Sequence, residues 1–391
     1  MENLKMFNTT EELIQEIKLG KMVILVDDEE RENEGDIVCS ADHINSQMIN
    51  FMATEARGLI CLALAKKQIE QLNLPLMVRD EDNQTPNKTA FTVSIEAAHG
   101  VSTGISAADR AHTIKVAASH YAKPSDVRTP GHIFPIQAKD GGVLKRAGHT
   151  EGSVDLAKLA GLAPAAVICE VMNSDGTMAR VPELKLFAQK HGLKIGTIVD
   201  LIEYRLANES LVEETFSKKL PDDNLHLKIF KSVVDHTEHI VIQKGIISPD
   251  KNCLVRVHVE NKSRDLISTL LSGNSSLQSA RKLISESDCG VLLYMSSPTT
   301  HAASQNIENI QTHNHSFHSS ILEDSKHFLE TTDKSAMSFG PSLDVLDYGI
   351  GAQILRHLGI KKMKLLSSKP EKRVGLKAYG IEITEVIPFK I

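Results

Sequence analysis

Seven carboxylates fall within ten residues in Asp27-Asp28-Glu29-Glu30-Arg31-Glu32-Asn33-Glu34-Gly35-Asp36, with one arginine in their midst. Carboxylates this crowded repel one another unless a proton or a cation compensates, so the segment suits a divalent metal with oxygen ligands. A solvated acidic turn is the plainer alternative, since blocks of like charge are usually exposed. A second group lies in Gly141-Gly142-Val143-Leu144-Lys145-Arg146-Ala147-Gly148-His149-Thr150-Glu151. Its glycines allow a ligand close to the backbone. Thr150 precedes a helical stretch and can serve as its N-cap, which with Arg146 makes a phosphate seat. An ordinary glycine turn with a surface Arg and His is the alternative there. His132 stands in the turn Thr129-Pro130-Gly131-His132, where it can be a general base or a hydrogen-bonded loop residue. Glu170 ends the apolar run Ala165–Cys169, a position whose restricted solvation suits an acid/base catalyst. Ser102-Thr103-Gly104-Ile105-Ser106 and Asp109-Arg110 form a further small polar loop.

These groups need elements to position them. Met22 to Val26 is apolar and reads as a buried strand, so the acidic run sits at a strand's C-terminal end, where α/β proteins place their chemistry. Ahead of it, Thr9 and Glu12 make a capping box, Leu13, Ile14 and Ile17 form a helical face, and Gly20 stops it. Further strands are predicted at Ile37–Cys39 and Leu59–Leu64, and helices at Ser46–Ala56 and Asp109–His120. Residues 78–100 read as polar and turn-rich. Glu183 to His191 reads as a helix, with Pro182 in its first turn and Gly192 past its end.

At 391 residues the chain is too long for one ordinary core, so two domains are expected. The pattern predicts a mixed α/β (α+β) domain over residues 1–205, a linker over 206–225, and a second α/β domain over 226–391. Strands are predicted there at Ile229–Val234, Ile240–Gln243, Leu254–Val259, Gly290–Tyr294 and from Met363. Helices are predicted at Arg264–Leu271, Ser276–Glu286 and Ile350–Leu358, with a long polar stretch over 296–342. A hydrophobic content of 41% and a charged content of 24% are those of a globular protein, and the net charge of −6 gives no reason to expect nucleic-acid binding. No run approaches the ~18 apolar residues of a membrane span, and the N-terminus lacks a signal peptide's pattern, so a cytoplasmic protein is expected. The five cysteines, Cys39, Cys61, Cys169, Cys253 and Cys289, contain no Cys-x-x-Cys pair and read as small hydrophobes.

Taken in order, the acidic segment, Glu55-Ala56-Arg57-Gly58, Ser102–Ser106, Pro130-Gly131-His132, Arg146–Glu151 and Cys169-Glu170-Val171-Met172-Asn173 resemble 3,4-dihydroxy-2-butanone 4-phosphate synthase across residues 1–205. The resemblance implies that fold and the conversion of D-ribulose 5-phosphate to L-3,4-dihydroxy-2-butanone 4-phosphate and formate. It implies Mg2+ or Mn2+ held by Glu32 and His149. Arg31, Glu32, Asp36, Arg146, Ala147, Gly148, His149, Thr150 and Glu170 are then substrate contacts, and His132 and Glu170 are essential for catalysis. The partner implied is a second copy, in a homodimer with composite sites.

The C-terminal half resembles GTP cyclohydrolase II through Val255-Arg256-Val257-His258, Gly290-Val291-Leu292-Leu293-Tyr294 and Asp347–Leu355. The departures fall on that family's chemistry. Its three zinc-binding cysteines align with Asn261, Ser272 and Asn274, its glycine-rich segment after Tyr294 is replaced by Ser296-Ser297-Pro298, and its catalytic arginine by Leu346. Ser367 and Lys372 retain parts of the nucleotide site. The resemblance thus implies a degenerate domain with no zinc, either inert or acting as a nucleotide-binding or assembly module; a bifunctional enzyme is the alternative. His313, His315 and His318 alternate as zinc ligands can, but three or four converging ligands are needed and a polar loop is the simpler reading.

Overall fold

The computed structural model describes residues 7–220, 225–260, 276–296, 341–367 and 380–388. The predicted helix Arg264–Leu271, the polar stretch from residue 297, and Asn261, Ser272, Asn274, His313, His315, His318 and Lys372 lie outside these. Chain contacts divide the molecule into two units, Met1–Arg205 and Leu206–Ile391.

In the first unit, α1 (Thr10–Lys18) begins at the capping box: the Thr9 hydroxyl accepts the Glu12 N–H and the Glu12 carboxylate accepts the Thr9 N–H. Its Leu13 and Ile17 are buried, each apolar side chain so placed contributing about 1.5–3 kcal/mol. Strands β1 (Val23–Val26) and β2 (Gly35–Ser40) follow, then α2 (Ser46–Phe51), which runs into a π-helical turn over Met52–Ala56. Next come β3 (Cys61–Ala65), α3 (Lys66–Gln71), β4 (Ile95–Ala97), α4 (Ala107–Ala118) and β5 (Val127–Ala138). The unit closes with α5 (His149–Leu159), β6 (Ala165–Glu170), α6 (Val181–His191), β7 (Lys194–Thr197) and α7 (Ile198–Asn208), whose last residues cross into the second unit. The described strands make one mixed sheet in the order β4-β5-β3-β6-β2-β1-β7. Strands β1 and β2 pair antiparallel with Leu25 opposite Asp36, and β2 pairs antiparallel with β6, setting Asp36 opposite Glu170.

In the second unit the described strands β8 (Val212–Lys219), β9 (Leu225–Ser232), β10 (Glu238–Lys244), β11 (Asn252–Val259), β12 (Gly290–Met295), β13 (Lys362–Ser367) and β14 (Glu382–Pro388) form a sheet ordered β14-β13-β11-β12-β10-β9-β8. Helices Ser276–Glu286 and Pro341–His357 accompany it. Phe230, Val255, Leu293 and Ile354 are fully buried within this unit.

The expected linker over 206–225 is corrected by β8. Its eight residues, Val-Glu-Glu-Thr-Phe-Ser-Lys-Lys, pair antiparallel with β9 as the last strand of the sheet, and their polarity is that of an exposed edge. No described helix is long and apolar enough to cross a membrane.

Candidate active site

Asp27, where β1 ends, organises the acidic segment. Its Oδ1 accepts the Glu34 N–H at 2.8 Å, and its Oδ2 accepts the Glu32 N–H at 3.2 Å and an Arg31 guanidinium N–H at 2.7 Å. Arg31 Nη1 also donates to Glu32 Oε2 at 2.6 Å, and Asn87 donates to Glu32 Oε1 at 2.6 Å. From the far side Arg180 donates to the carbonyls of Glu32 and Asn33. The segment is therefore a folded loop in which Asp27 and Glu32 are fixed, while Glu29 and Glu30 at its tip are exposed.

Across from it lies the start of α5. Gly148 is the N-cap, with extended backbone and no side chain in the way, and the helix begins at His149. This corrects the sequence expectation for Thr150, which sits in the first helical turn; its carbonyl accepts the Ser153 hydroxyl at 3.0 Å. A side chain at 148 would displace the Arg146 guanidinium and press on that of Arg31 and on the Glu151 carboxylate. Two cations thus converge on a helix N-terminus, an arrangement suited to a phosphate. Arg146 is set by Glu151 at 2.6 Å and by the Asn87 carbonyl. The turn ahead of it is held by Asp155, which accepts the Val143 N–H at 2.8 Å and Arg205 at 2.7 Å.

His149 is 5% exposed, and its Nδ1 lies 3.6 Å from Glu32 Oε2 and 3.7 Å from Asp36 Oδ1. Burial opposes the charged imidazole, yet Asp36, Glu32 and Asp27 outweigh it and push His149 up to about 9. Glu32, through its interaction with His149 and then with Arg31 and against the cost of burial, is brought down to about 2. Asp36, almost wholly buried, is pushed up to about 7 by that burial and by neighbouring carboxylates. Glu170 projects beside Asp36, its Oε2 accepting the Leu59 N–H at 2.8 Å. Gly58 lets the chain pass: a side chain there would strike the Glu170 backbone and carboxylate.

Arg31, Glu32, Asp36, Arg146, His149, Thr150 and Glu170 line one cavity of about 150 Å³ with Glu34, Thr89, Phe91, Ile136 and Ile168. Ala147 and Gly148 form the turn leading into it. His132 is not among the lining residues; it stands 3.3 Å from Glu96 near the β4–β5 edge of the sheet. Sequence reasoning missed Asp27 as organiser, and Asn87, Thr89 and Arg180 altogether. Asp27 lay in view within the acidic run, whereas the others act from 55 to 148 residues away in sequence, which no local pattern reveals.

The donor set fits a hard divalent cation. Glu32, Asp27 and His149 offer ligand atoms within 4.8 Å of one another. His149 Nε2 and Asp36 Oδ1 are buried without hydrogen-bond partners, which is costly unless something completes them. Both oxygens of Asp27 and both of Glu32 already accept hydrogen bonds, so a cation would share or displace these contacts; Asp27, Glu32 and His149, with Asp36 close by, are the residues that could hold it. The proton on His149 supplies the compensating charge that a cation would replace.

The family model described as 3,4-dihydroxy-2-butanone 4-phosphate synthase matches residues 11–204, and that described as GTP cyclohydrolase II matches residues 212–388. A riboflavin biosynthesis protein RibBA of Aquifex aeolicus is 47% identical over 98% of this chain and 93% of its own length. A 3,4-dihydroxy-2-butanone 4-phosphate synthase of Pseudomonas syringae pv. tomato is 45% identical over 98% of this chain and 99% of its own. Among solved structures, RibBX, a two-domain 3,4-dihydroxy-2-butanone 4-phosphate synthase from A. baumannii, superposes with a TM-score of 0.71 at 39% identity, covering 98% of this chain and all of that one. The chain therefore belongs to the family of two-domain riboflavin biosynthesis proteins, in which a 3,4-dihydroxy-2-butanone 4-phosphate synthase domain precedes a GTP cyclohydrolase II domain.

Proposed function

We propose that residues 1–205 convert D-ribulose 5-phosphate to L-3,4-dihydroxy-2-butanone 4-phosphate and formate, with Mg2+ or Mn2+ held by Glu32 and His149. The observation that carries this is the cavity itself, in which two guanidiniums, four carboxylates and a buried imidazole meet at a helix N-terminus. The atoms of substrate and products balance, so the reaction needs no oxidant or co-reactant; it needs a gripped phosphate and groups that move protons. Arg31, Arg146 and the first N–H groups of α5 bind the phosphate and hold the sugar carbons in register with the carboxylates. Phosphate binding acts on ground and transition states alike, so acceleration falls to the other residues. Asp36, buried beside His149 and opposite Glu170, is one group placed to take or give a proton. Glu170, fixed by Leu59 N–H, is a second proton-transfer group. His132 is the third, a base presented from the edge of the sheet. A bound cation would draw electron density from the substrate's carbonyl and hydroxyl oxygens.

We place the enzyme in the cytoplasm as a homodimer. The second unit, in this proposal, does not open the ring of GTP. Cys253 and Cys289 bracket a stretch without cysteine where the hydrolase family carries its zinc ligands. The relative from P. syringae, similar over both units, is named for the synthase activity. The test is to give the full chain ribulose 5-phosphate with and without added Mg2+ or Mn2+ and to identify products by NMR. Formation of formate and the four-carbon ketone phosphate in equal amounts, abolished by excess chelator, is the expected result. Undiminished turnover in chelator would remove the metal from the mechanism, and no product under any condition would remove the function.

A further inference from the structure

His132 rests on a structure of its own. Gly131 N–H donates to Ser94 Oγ at 3.1 Å, and a side chain at Gly131 would run into the backbone of Ile95 and Glu96, so the turn lies flat against β4. The pairing of β4 with β5 jumps from Ile95 opposite Ile133 to Glu96 opposite Arg128, which leaves Thr129–His132 as an excursion over Glu96. Strand β4 is itself tied to α4 by the Ala97 N–H, which donates to Thr113 Oγ1 at 3.1 Å. The Glu96 side chain is 10% exposed, its Oε2 lies 3.3 Å from His132 Nδ1, and its Oε1 is buried without a hydrogen-bond partner. Gly104, in left-handed conformation at φ +88°, closes over that carboxylate, and any side chain at 104 would occupy its place.

An ionised carboxylate only accepts, so the hydrogen between the two groups belongs to Nδ1. We propose that Glu96 is the positioning residue for His132: its carboxylate holds the imidazole as the Nδ1–H tautomer and leaves Nε2 free to take a proton. A ring 43% exposed at the side chain and without this contact would turn and exchange tautomers. The buried carboxylate, gripped between the Thr129–His132 excursion and the Gly104 turn, prevents both. This is the orienting logic of a carboxylate behind a histidine base, reached here without a nucleophile.

The inference rests on the catalytic role given above to His132, and the test separates the two. Glu96→Gln, Glu96→Asp, His132→Asn and the double variant Glu96→Gln/His132→Asn are assayed with ribulose 5-phosphate, and 15N histidine spectra of the wild type are assigned by difference from His132→Asn. Expected are an Nδ1–H tautomer for His132 and loss of that signature in Glu96→Gln. In that variant kcat should fall by about 10- to 100-fold with KM within about twofold, as for a misaligned general base. Glu96→Asp should recover part of kcat, and the double variant should be no slower than His132→Asn alone. An Nε2–H tautomer in the wild type, a kcat within twofold of wild type in Glu96→Gln, or a multiplicative loss in the double variant overturns the proposal. Full activity in His132→Asn would instead remove the base role of His132, while the spectrum would still report whether Glu96 sets the ring.

Discussion

Several charged residues of the site have a second contact that fixes them, and these contacts decide what substitution does. Glu170 is held by the Leu59 N–H and His132 by Glu96. Glu170→Gln keeps size and an accepting oxygen but removes the exchangeable charge. We expect kcat to fall about 100-fold or more, as it should for His132→Asn, with little change in the affinity for inorganic phosphate as a competing ligand. Near-normal turnover in both would remove them from proton transfer. Arg146 behaves differently. Its guanidinium bridges Glu151, the Asn87 carbonyl and the Thr89 hydroxyl as well as facing the cavity. Lysine there keeps the charge and loses the fork. Arg146→Lys should raise KM about tenfold, the equivalent of one charge-assisted hydrogen bond; steady-state kinetics showing an unchanged KM would move the phosphate elsewhere.

Elements set these residues in place, and some of them were legible from sequence because their signals are local. The Thr9 capping box, the Gly192 stop after α6 and the apolar run of β1 each need only a few neighbouring residues to specify them. The acidic segment and the turn Arg146–Thr150 were legible for the same reason, as contiguous runs. Strand β4 was not: Ile95-Glu96-Ala97 alternates, but three residues are too short a run to stand out from a polar, turn-rich stretch, and the pairing with β5 is what makes them a strand. Strand β8 looked like a connection because an exposed edge carries polar residues. Thr150 was misplaced because a glycine cap leaves no side-chain signal, and helix boundaries blur by a residue or two. Asp155 shows how an element governs the site from outside the cavity. It accepts the Val143 N–H and pairs with Arg205, both partners largely buried, and a side chain on Gly142, at φ +64°, would meet its carboxylate. Asp155→Ala leaves Arg205 buried without this partner and frees the turn that ends in Arg146. It should destabilise the first unit by about 3 kcal/mol and raise KM for ribulose 5-phosphate. Denaturant unfolding with an unchanged midpoint would show that the turn stands without Asp155.

At the scale of the whole molecule the two units pose different questions, because the proposal gives synthase chemistry to the first and no GTP chemistry to the second. The second unit retains a seven-stranded sheet among its described residues and an interior of Phe230, Val241, Val255, Leu293 and Leu355. It also retains an internal strut: buried Gln353 donates to the carbonyls of Leu206 and Glu209 and accepts the Leu211 N–H at 2.7 Å. These groups specify a fold and supply no catalyst. Opening a purine ring requires a metal-activated water, and a zinc that activates water needs three converging protein ligands. Cys253 is buried on β11 beside Cys289, and neither cysteine falls at the positions that align with the family's three thiolates. The leucine at 346 likewise carries no charge for the substrate. Because formate is a product of both chemistries, the decisive measurement uses the full chain with GTP alone, Zn2+ and Mg2+ added, followed by metal analysis after dialysis. The expected result is no formate, no ring-opened product and no stoichiometric zinc. One tightly held zinc per chain together with turnover of GTP would place a second active centre in residues 206–391. A rise in thermal midpoint with GTP but without turnover would instead make the unit a nucleotide-binding module, since a ligand that favours the folded state stabilises it by mass action alone.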